Sequence, residues 1–302
     1  MSFSNIAIIG LGLLGGSIGL AVQAELPAIR VTGYDSDPAT RARAQERGLV
    51  HKVCETAADA VSTCDLVIFC VPPGAMGKAA RDIADALPEG ALVSDVGSSK
   101  QAIARDLGEA LPGRTIIPAH PVAGTEHSGP DAGFATLFRN RWCIITPPEP
   151  TDLLKLTALV EFWESLGANV DIMDTQHHDL VLAVTSHLPH LIAYTIVGTA
   201  SDLEDVTESE VIKYSAGGFR DFTRIAASDP TMWRDVFLSN KEAVLTMLQR
   251  FSEDITALQR AIRVGDGDAL FEHFARTRAI RRSIIEEGQD DERPDFGRTD
   301  HE

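Results

Sequence analysis

A chain of 302 residues with 44% hydrophobic content is long enough to bury a substantial core and to divide into two domains. Its formal net charge of −17 weighs against nucleic acid or an anionic membrane as a partner, so any anionic substrate must be met by locally clustered Arg and Lys. No apolar stretch is expected to reach the roughly 20 residues of a membrane span, and Met1-Ser2-Phe3-Ser4 has no charged lead into a signal sequence, which makes a cytoplasmic enzyme the expectation.

The first apolar run, Ile6 to Ile9, leads into Gly10-Leu11-Gly12-Leu13-Leu14-Gly15-Gly16-Ser17 and a helix, and Asp35 closes the next apolar segment. Strand, glycines, helix, strand and acid in this order predict a dinucleotide site. Gly10 permits the tight turn, Gly12 lets backbone approach a pyrophosphate, and Gly15 lets the helix pack on the strand, with Leu13 and Leu14 opening that helix. Asp35 would accept hydrogen bonds from a ribose hydroxyl, and Val71, at the end of the run from Leu66, is counted with the cofactor residues. Asp35-Ser36-Asp37 places two carboxylates where a 2′-phosphate would lie, with no cation before Arg41, so NAD is expected over NADP.

Further short β-rich runs follow at Ile29 to Tyr34, Leu66 to Val71, Leu92 to Val96, Thr115 to Ile117 and Cys143 to Thr146, then a helix from Asp152 to Leu166 and a last strand from Asn169 to Ile172. This alternation predicts an α/β fold with a Rossmann-type, doubly wound parallel sheet. Beyond Asp174 the pattern is helical: Thr175 to Ser201, Glu208 to Tyr214, Pro230 to Arg263 and Gly267 to Glu287, with Asp229-Pro230 as a helix start. The expected organisation is a dinucleotide-binding domain at 1–173, an all-helical substrate and dimerisation domain at 174–287, and an acidic tail at 288–302. From Glu286 to Glu302 eight acidic residues stand against two basic ones, and the tail is expected to be disordered.

Cys54, Cys64, Cys70 and Cys143 have no CxxC spacing and are expected as reduced core thiols. His177 and His178 are adjacent, so their rings diverge by about 100° on a helix, and a surface role is expected rather than a metal site. Three polar clusters remain. In Asp95-Val96-Gly97-Ser98-Ser99-Lys100, Ser98 could form a capping box with Gln101, or reach the substrate from the carboxyl end of a strand. In His120-Pro121-Val122-Ala123-Gly124-Thr125-Glu126-His127-Ser128-Gly129, read as a loop, Pro121 biases His120 to an extended backbone and suits it to catalysis. In Ser186-His187-Leu188-Pro189-His190 a helix should kink at Pro189, with His187 and His190 on one face. Arg220 and Arg224 follow, able to clamp carboxylates or to pair with Asp221 or Glu126, and then Trp233.

Taken in order, GLGLLGGS, DVGSSK, HPVAGTEHSG, SHLPH and GGFRDFTRIA resemble the prephenate and arogenate dehydrogenase (cyclohexadienyl dehydrogenase) family of tyrosine biosynthesis, over about residues 5 to 285. The resemblance implies a Rossmann domain joined to a helical dimerisation domain, a homodimer, and NAD-dependent oxidation of prephenate or L-arogenate. It implies that His120 takes the proton of the ring hydroxyl and that Ser98 hydrogen-bonds the same hydroxyl. His190 would bind substrate, Arg224 would hold the ring carboxylate, Glu126 and Asp221 would pair near the mouth of the site, and Trp233 would lie by the side-chain pocket. With only a short segment after Glu287, the regulatory ACT domain of some members is not expected here. Two other readings of the pattern stand beside it: a β-hydroxyacid or 6-phosphogluconate-like dehydrogenase, which would rely on a helix lysine, and a non-catalytic NAD-sensing module.

Overall fold

In the computed structural model, which describes residues 3–125, 127–202 and 217–286, the first sheet is built from β1 (Asn5–Ile9), β2 (Arg30–Tyr34), β3 (Lys52–Val53), β4 (Leu66–Phe69), β5 (Leu92–Asp95) and β6 (Thr115–Ile116). All pairings are parallel, in the order β3-β2-β1-β4-β5-β6. Alternation along each strand divides the side chains between two cores. Ile6, Ile8, Leu66 and Ile68 join one, and Ala7, Ile9, Val67 and Phe69 join the other. Helices α1 (Leu13–Glu25), α2 (Pro38–Glu46), α3 (Ala57–Val61), α4 (Met76–Arg81) and α5 (Gln101–Ala110) are interleaved with these strands. The chain reverses between β1 and β4 to opposite sides of the sheet, the arrangement that opens a crevice beyond the carboxyl ends of its strands.

The later strands depart from the expected single parallel sheet. β7 (Ala119–Pro121), β8 (Trp142–Ile145) and β9 (Asn169–Ile172) form a separate three-stranded sheet in which β7 runs antiparallel to β8 and β8 parallel to β9. His120 therefore sits on an edge strand opposite Ile144, where a loop was expected. Pro121 is tolerated because β7 is at the edge of its sheet. Helix α6 (Leu153–Ser165), capped by Asp152 through the amides of Leu154 and Lys155, lies between β8 and β9.

From Thr175 the chain is helical. The predicted helix over 175–201 exists as α7 (Thr175–Leu182), a π-helical turn at Ala183–His187, and α8 (Leu188–Ser201). Pro189 has no N–H, and its ring crowds the carbonyl four residues back, so the widened turn just before it absorbs the misfit. Contrary to the sequence expectation, this 27-residue helix is long and apolar enough to cross a membrane by length and composition, and only 28% of its most apolar window is buried. Then come α9 (Gly217–Thr223), a 3₁₀ turn at Arg224–Ala227, α10 (Pro230–Ser239), α11 (Lys241–Val264) and α12 (Gly267–Glu286). Asp229 accepts from the Met232 amide at 2.8 Å, so the Asp-Pro helix start holds. The helix predicted from Pro230 to Arg263 is instead two, divided at Asn240, whose side chain is spent on other elements. The predicted helix Glu208–Tyr214 and the tail 288–302 fall outside the described residues. By compactness the chain divides into Met1–Leu245 and Thr246–Glu302. Every site residue discussed below lies in the first unit.

Candidate active site

The glycine loop has the shape a dinucleotide needs. Gly10 has φ +102°, and a Cβ there would stand 2.4 Å from the Cys70 carbonyl oxygen and 3.1 Å from Val71 Cγ1. A Cβ on Gly15 would lie 1.9 Å from the Gly10 oxygen and 3.0 Å from Ile8 Cγ2, so α1 can approach β1 only with glycine there. At Gly12 a Cβ would meet nothing within 4 Å, which leaves open space in front of the helix N-terminus. No side chain caps α1 and no acid lies in its first turn, so the amides around Leu13 and Leu14 remain for an anion. Asp35 Oδ2 accepts from the Leu11 amide at 2.8 Å, joining the carboxylate at the end of β2 to the glycine loop. Asp37 is the cap of α2, accepting from the amides of Ala39 and Thr40. Arg41 donates to the Asp35 carbonyl at 2.8 Å and braces the same turn. These residues fit a dinucleotide with its pyrophosphate at Gly12 and a ribose at Asp35.

Beyond the sheet, His120 is the centre of a buried polar network. It is 7% exposed, and its Nδ1 lies 2.9 Å from His178 Nε2. His178 Nδ1 lies 2.9 Å from Asp179 Oδ1. Asp179 in turn accepts from the Lys100 amide at 2.6 Å and the Gln101 amide at 3.0 Å, capping α5 from another element. Lys100, fully buried, donates through Nζ to Asp95 Oδ2 at 2.5 Å and to the Ala119 carbonyl at 2.7 Å, next to His120. No hydrogen bond engages His120 Nε2 among the described residues.

The electrostatics of the network keep its imidazoles neutral. Burial pushes His120 well below the usual 6.5, and the neighbouring His178, Lys100 and His187 push the same way. Burial lowers His178 as well, opposed by its bond to Asp179. Burial alone would raise the Asp179 carboxyl, but the bonds from His178, Gln101 and Lys100 together outweigh it and leave the pKa lowered. In the Asp95–Lys100 pair, burial raises the acid and lowers the amine, while their contact opposes both shifts.

The helical residues form a second histidine and aromatic cluster. His190 stacks on Trp233, ring centroids 3.6 Å apart and planes 23° from parallel, and its Nδ1–H donates to the Ser186 carbonyl at 2.9 Å. Burial lowers its pKa, and the positive charge of Arg224 adds to the effect, so Arg224 acts at this ring although it is itself exposed. His187 packs edge-on to Trp233 at 6.1 Å, is lowered to about 4 by burial, and feels the backbone of Ser98. Asn240 Nδ2 donates to the Asp179 carbonyl at 2.8 Å and lies 3.1 Å from His187 Nδ1, tying α10 to both histidine clusters. The loop after Val71 meets the same helix, since a Cβ on Gly74 would stand 2.7 Å from Asp235 Oδ2. Arg220, exposed, makes a loose 3.9 Å contact with Asp221. Glu126 lies outside the described residues.

Several expectations need correction. Ser98 does not cap α5; that place is taken by Asp179, and Ser98 is left half-buried without that duty. Of the adjacent pair, His177 is exposed but His178 is fully buried and bonded to His120, so the surface role fails for the residue that matters. The sequence motifs assign no site role to His178, Asp179, Lys100, Asp95 or Asn240, which the structure places in the network. A signal existed: Asp179, Ala183 and His187 recur at four-residue spacing along an apolar helix, and polar groups on its buried face need partners. The four cysteines are free thiols, three of them buried, and burial raises Cys64 to about 12.

Residues 18–172 match the family described as "Prephenate dehydrogenase, nucleotide-binding domain" and residues 174–276 that described as "Prephenate dehydrogenase, dimerization domain". The cyclohexadienyl dehydrogenase of Zymomonas mobilis is 43% identical over 93% of this chain and 96% of that protein. A crystal structure of prephenate dehydrogenase from Aquifex aeolicus with hydroxyphenyl propionate and NAD+ superposes with a TM-score of 0.87 at 33% identity, covering 94% of this chain and 99% of that one. Synechocystis arogenate dehydrogenase superposes with a TM-score of 0.77 at 26% identity, covering 93% and 99%. A Rossmann-type sheet that ends in this glycine loop, a buried imidazole network and two consecutive domain matches along the chain agree: the protein belongs to the prephenate dehydrogenase family.

Proposed function

We propose that the protein catalyses the NAD-dependent oxidative decarboxylation of prephenate to 4-hydroxyphenylpyruvate, of L-arogenate to L-tyrosine, or of both. The observation that carries this reading is His120: a buried, neutral imidazole whose Nδ1 is held at 2.9 Å while Nε2 has no hydrogen-bond partner among the described residues. NAD, when bound at Gly10, Gly12, Leu13, Leu14, Gly15, Asp35 and Val71, supplies the hydride acceptor. His120 Nε2 takes the proton of the ring hydroxyl as hydride leaves the carbon that bears it, and a neutral base at working pH suits that transfer. The ring carboxylate then departs as CO₂, its bonding electrons completing the aromatic ring. Ser98 hydrogen-bonds the same hydroxyl. Arg224 pairs with a substrate carboxylate beside His190, whose place is fixed by Trp233 and the Ser186 carbonyl. Arg220, Asp221 and Glu126 are assigned to the mouth of the site.

In this reading residues 1–173 bind cofactor, 174–287 bind substrate and dimerise, and 288–302 take no part in catalysis. A homodimer also explains the apolar surface. Leu180, Val184, Ile196 and Val197 stand 40–46% exposed along the 175–201 helix, and within Thr246–Glu302 Ile262 and Phe271 are 67% and 73% exposed. Covering by a second copy makes a membrane unnecessary for that helix. The test is to mix protein, NAD and each substrate and follow NADH absorbance. Turnover of either substrate is the expected result, and the ratio of the two kcat/KM values decides between them. No NADH from either, with protein that binds NAD, would refute the proposal.

A further inference from the structure

With His120 as the base of the proposed reaction, the hydrogen bonds of the buried network fix which of its ring nitrogens carries the proton. Ionised Asp179 is an acceptor only, and it already accepts from the amides of Lys100 and Gln101. Its 2.9 Å partner, His178 Nδ1, must therefore be the protonated nitrogen of that ring. A neutral imidazole carries one N–H, so His178 Nε2 is a bare lone pair. His120 Nδ1, 2.9 Å away, must then donate to it, which leaves the lone pair of His120 on Nε2. The opposite tautomer would set two lone pairs against each other where no water competes.

We propose that Asp179 and His178 are positioning residues which fix the tautomer of His120 and so aim its Nε2 lone pair at the substrate hydroxyl. The same carboxylate caps α5 and thereby holds the Ser98 loop, so one anion registers both groups that meet the hydroxyl. Asn240 locks the arrangement from α10 by donating to the Asp179 carbonyl, and Lys100 fixes the backbone beside His120 through the Ala119 carbonyl. The groups facing His120 are His178 on α7, His187 on the π turn and Lys100 ahead of α5. The three positive or protonatable neighbours oppose its protonation.

The experiment is a long-range ¹H–¹⁵N correlation of the imidazoles of the full chain without ligand near neutral pH, with His120 assigned by its loss in His120→Asn. His120 should show a protonated Nδ1 and a bare Nε2; a protonated Nε2 would overturn the proposal. In kinetics, His178→Phe should lower kcat about 10²-fold, inside the 10² to 10⁴ a positioned base contributes, with substrate KM within about threefold. His178→Gln, whose Oε1 can take the place of Nε2 as acceptor, should recover about tenfold of that loss. Equal kcat in the Phe and Gln variants, or an unchanged kcat in both, contradicts the positioning role. Should the Phe variant not fold, the wild-type spectrum and the Gln variant decide. Because the spectrum needs no turnover, the predicted tautomer in a protein inert toward both substrates refutes the function and leaves the tautomer assignment standing. Turnover with the wrong tautomer does the reverse.

Discussion

In the proposed mechanism His120 and Arg224 divide the chemistry between proton transfer and anion binding, and substitution should separate the two. His120→Asn keeps a polar group on β7 but removes the basic nitrogen, so kcat should fall by about 10²- to 10⁴-fold with KM nearly unchanged. Steady-state kinetics with NAD check this, and a kcat near wild type would remove His120 from its role. Arg224→Ala should raise substrate KM by about 10- to 100-fold, the loss of one charge-assisted hydrogen bond, with little effect on NAD. An effect on NAD alone would show that the guanidinium serves the cofactor. At this scale the sequence was readable where a residue stood in a motif with a job visible from local order, as with Gly10, Gly15 and His120. The surface reading of His178 fails, and the four-residue spacing through Asp179 marks a buried face without naming its partners, because the task of both residues exists only once α7 packs against β7 and the start of α5.

At the scale of elements, the glycine loop and the buried ion pair make opposite predictions about stability. Gly12→Ala adds a Cβ that meets nothing in the chain, so folding should lose at most about 1 kcal/mol for a poorer helix cap while NAD binding weakens. Parallel thermal melts and NAD titrations check it, and unimpaired NAD binding would move the pyrophosphate away from Gly12. Lys100→Met leaves Asp95 buried, 0% exposed, without its counter-charge, and should cost about 3–5 kcal/mol in denaturant unfolding. The strands of the first sheet other than β3 were legible because both faces are covered and their apolar runs are continuous. β3, of two residues, and β7, carrying a histidine and a proline, have no pattern of their own; pairing with neighbours makes them strands. The break at Asn240 was likewise hidden, since apolar spacing runs through it and its cause is a long-range amide bond to Asp179.

For the whole molecule, burying neutral histidines makes stability depend on pH. His120, His178, His187 and His190 all have folded pKa values below the ordinary 6.5. Below pH 6.5 the unfolded chain takes up protons that the folded chain resists, so stability present above that pH is lost as pH falls toward the folded values. For His187, lowered to about 4, the loss between pH 6.5 and 5 is about 2 kcal/mol. Denaturant unfolding at the two pH values checks the direction, and a stability that rises on acidification would contradict the burial of neutral rings. The exposed apolar residues on the 175–201 helix predict a dimer by light scattering in the absence of detergent. The charge of −17 gives the proposed role of Arg224 its physical reason, because the overall field repels an anionic substrate and local cations must recruit it.

The most direct measurement is the ratio of kcat for His120→Asn to wild type, with NAD and whichever of prephenate or L-arogenate the wild type oxidises faster, followed as NADH and aromatic product formed together. A ratio of about 10⁻² or lower, with equal amounts of both products from the wild type, is the predicted result. A ratio near one, or NADH formed without the aromatic product, would contradict the mechanism.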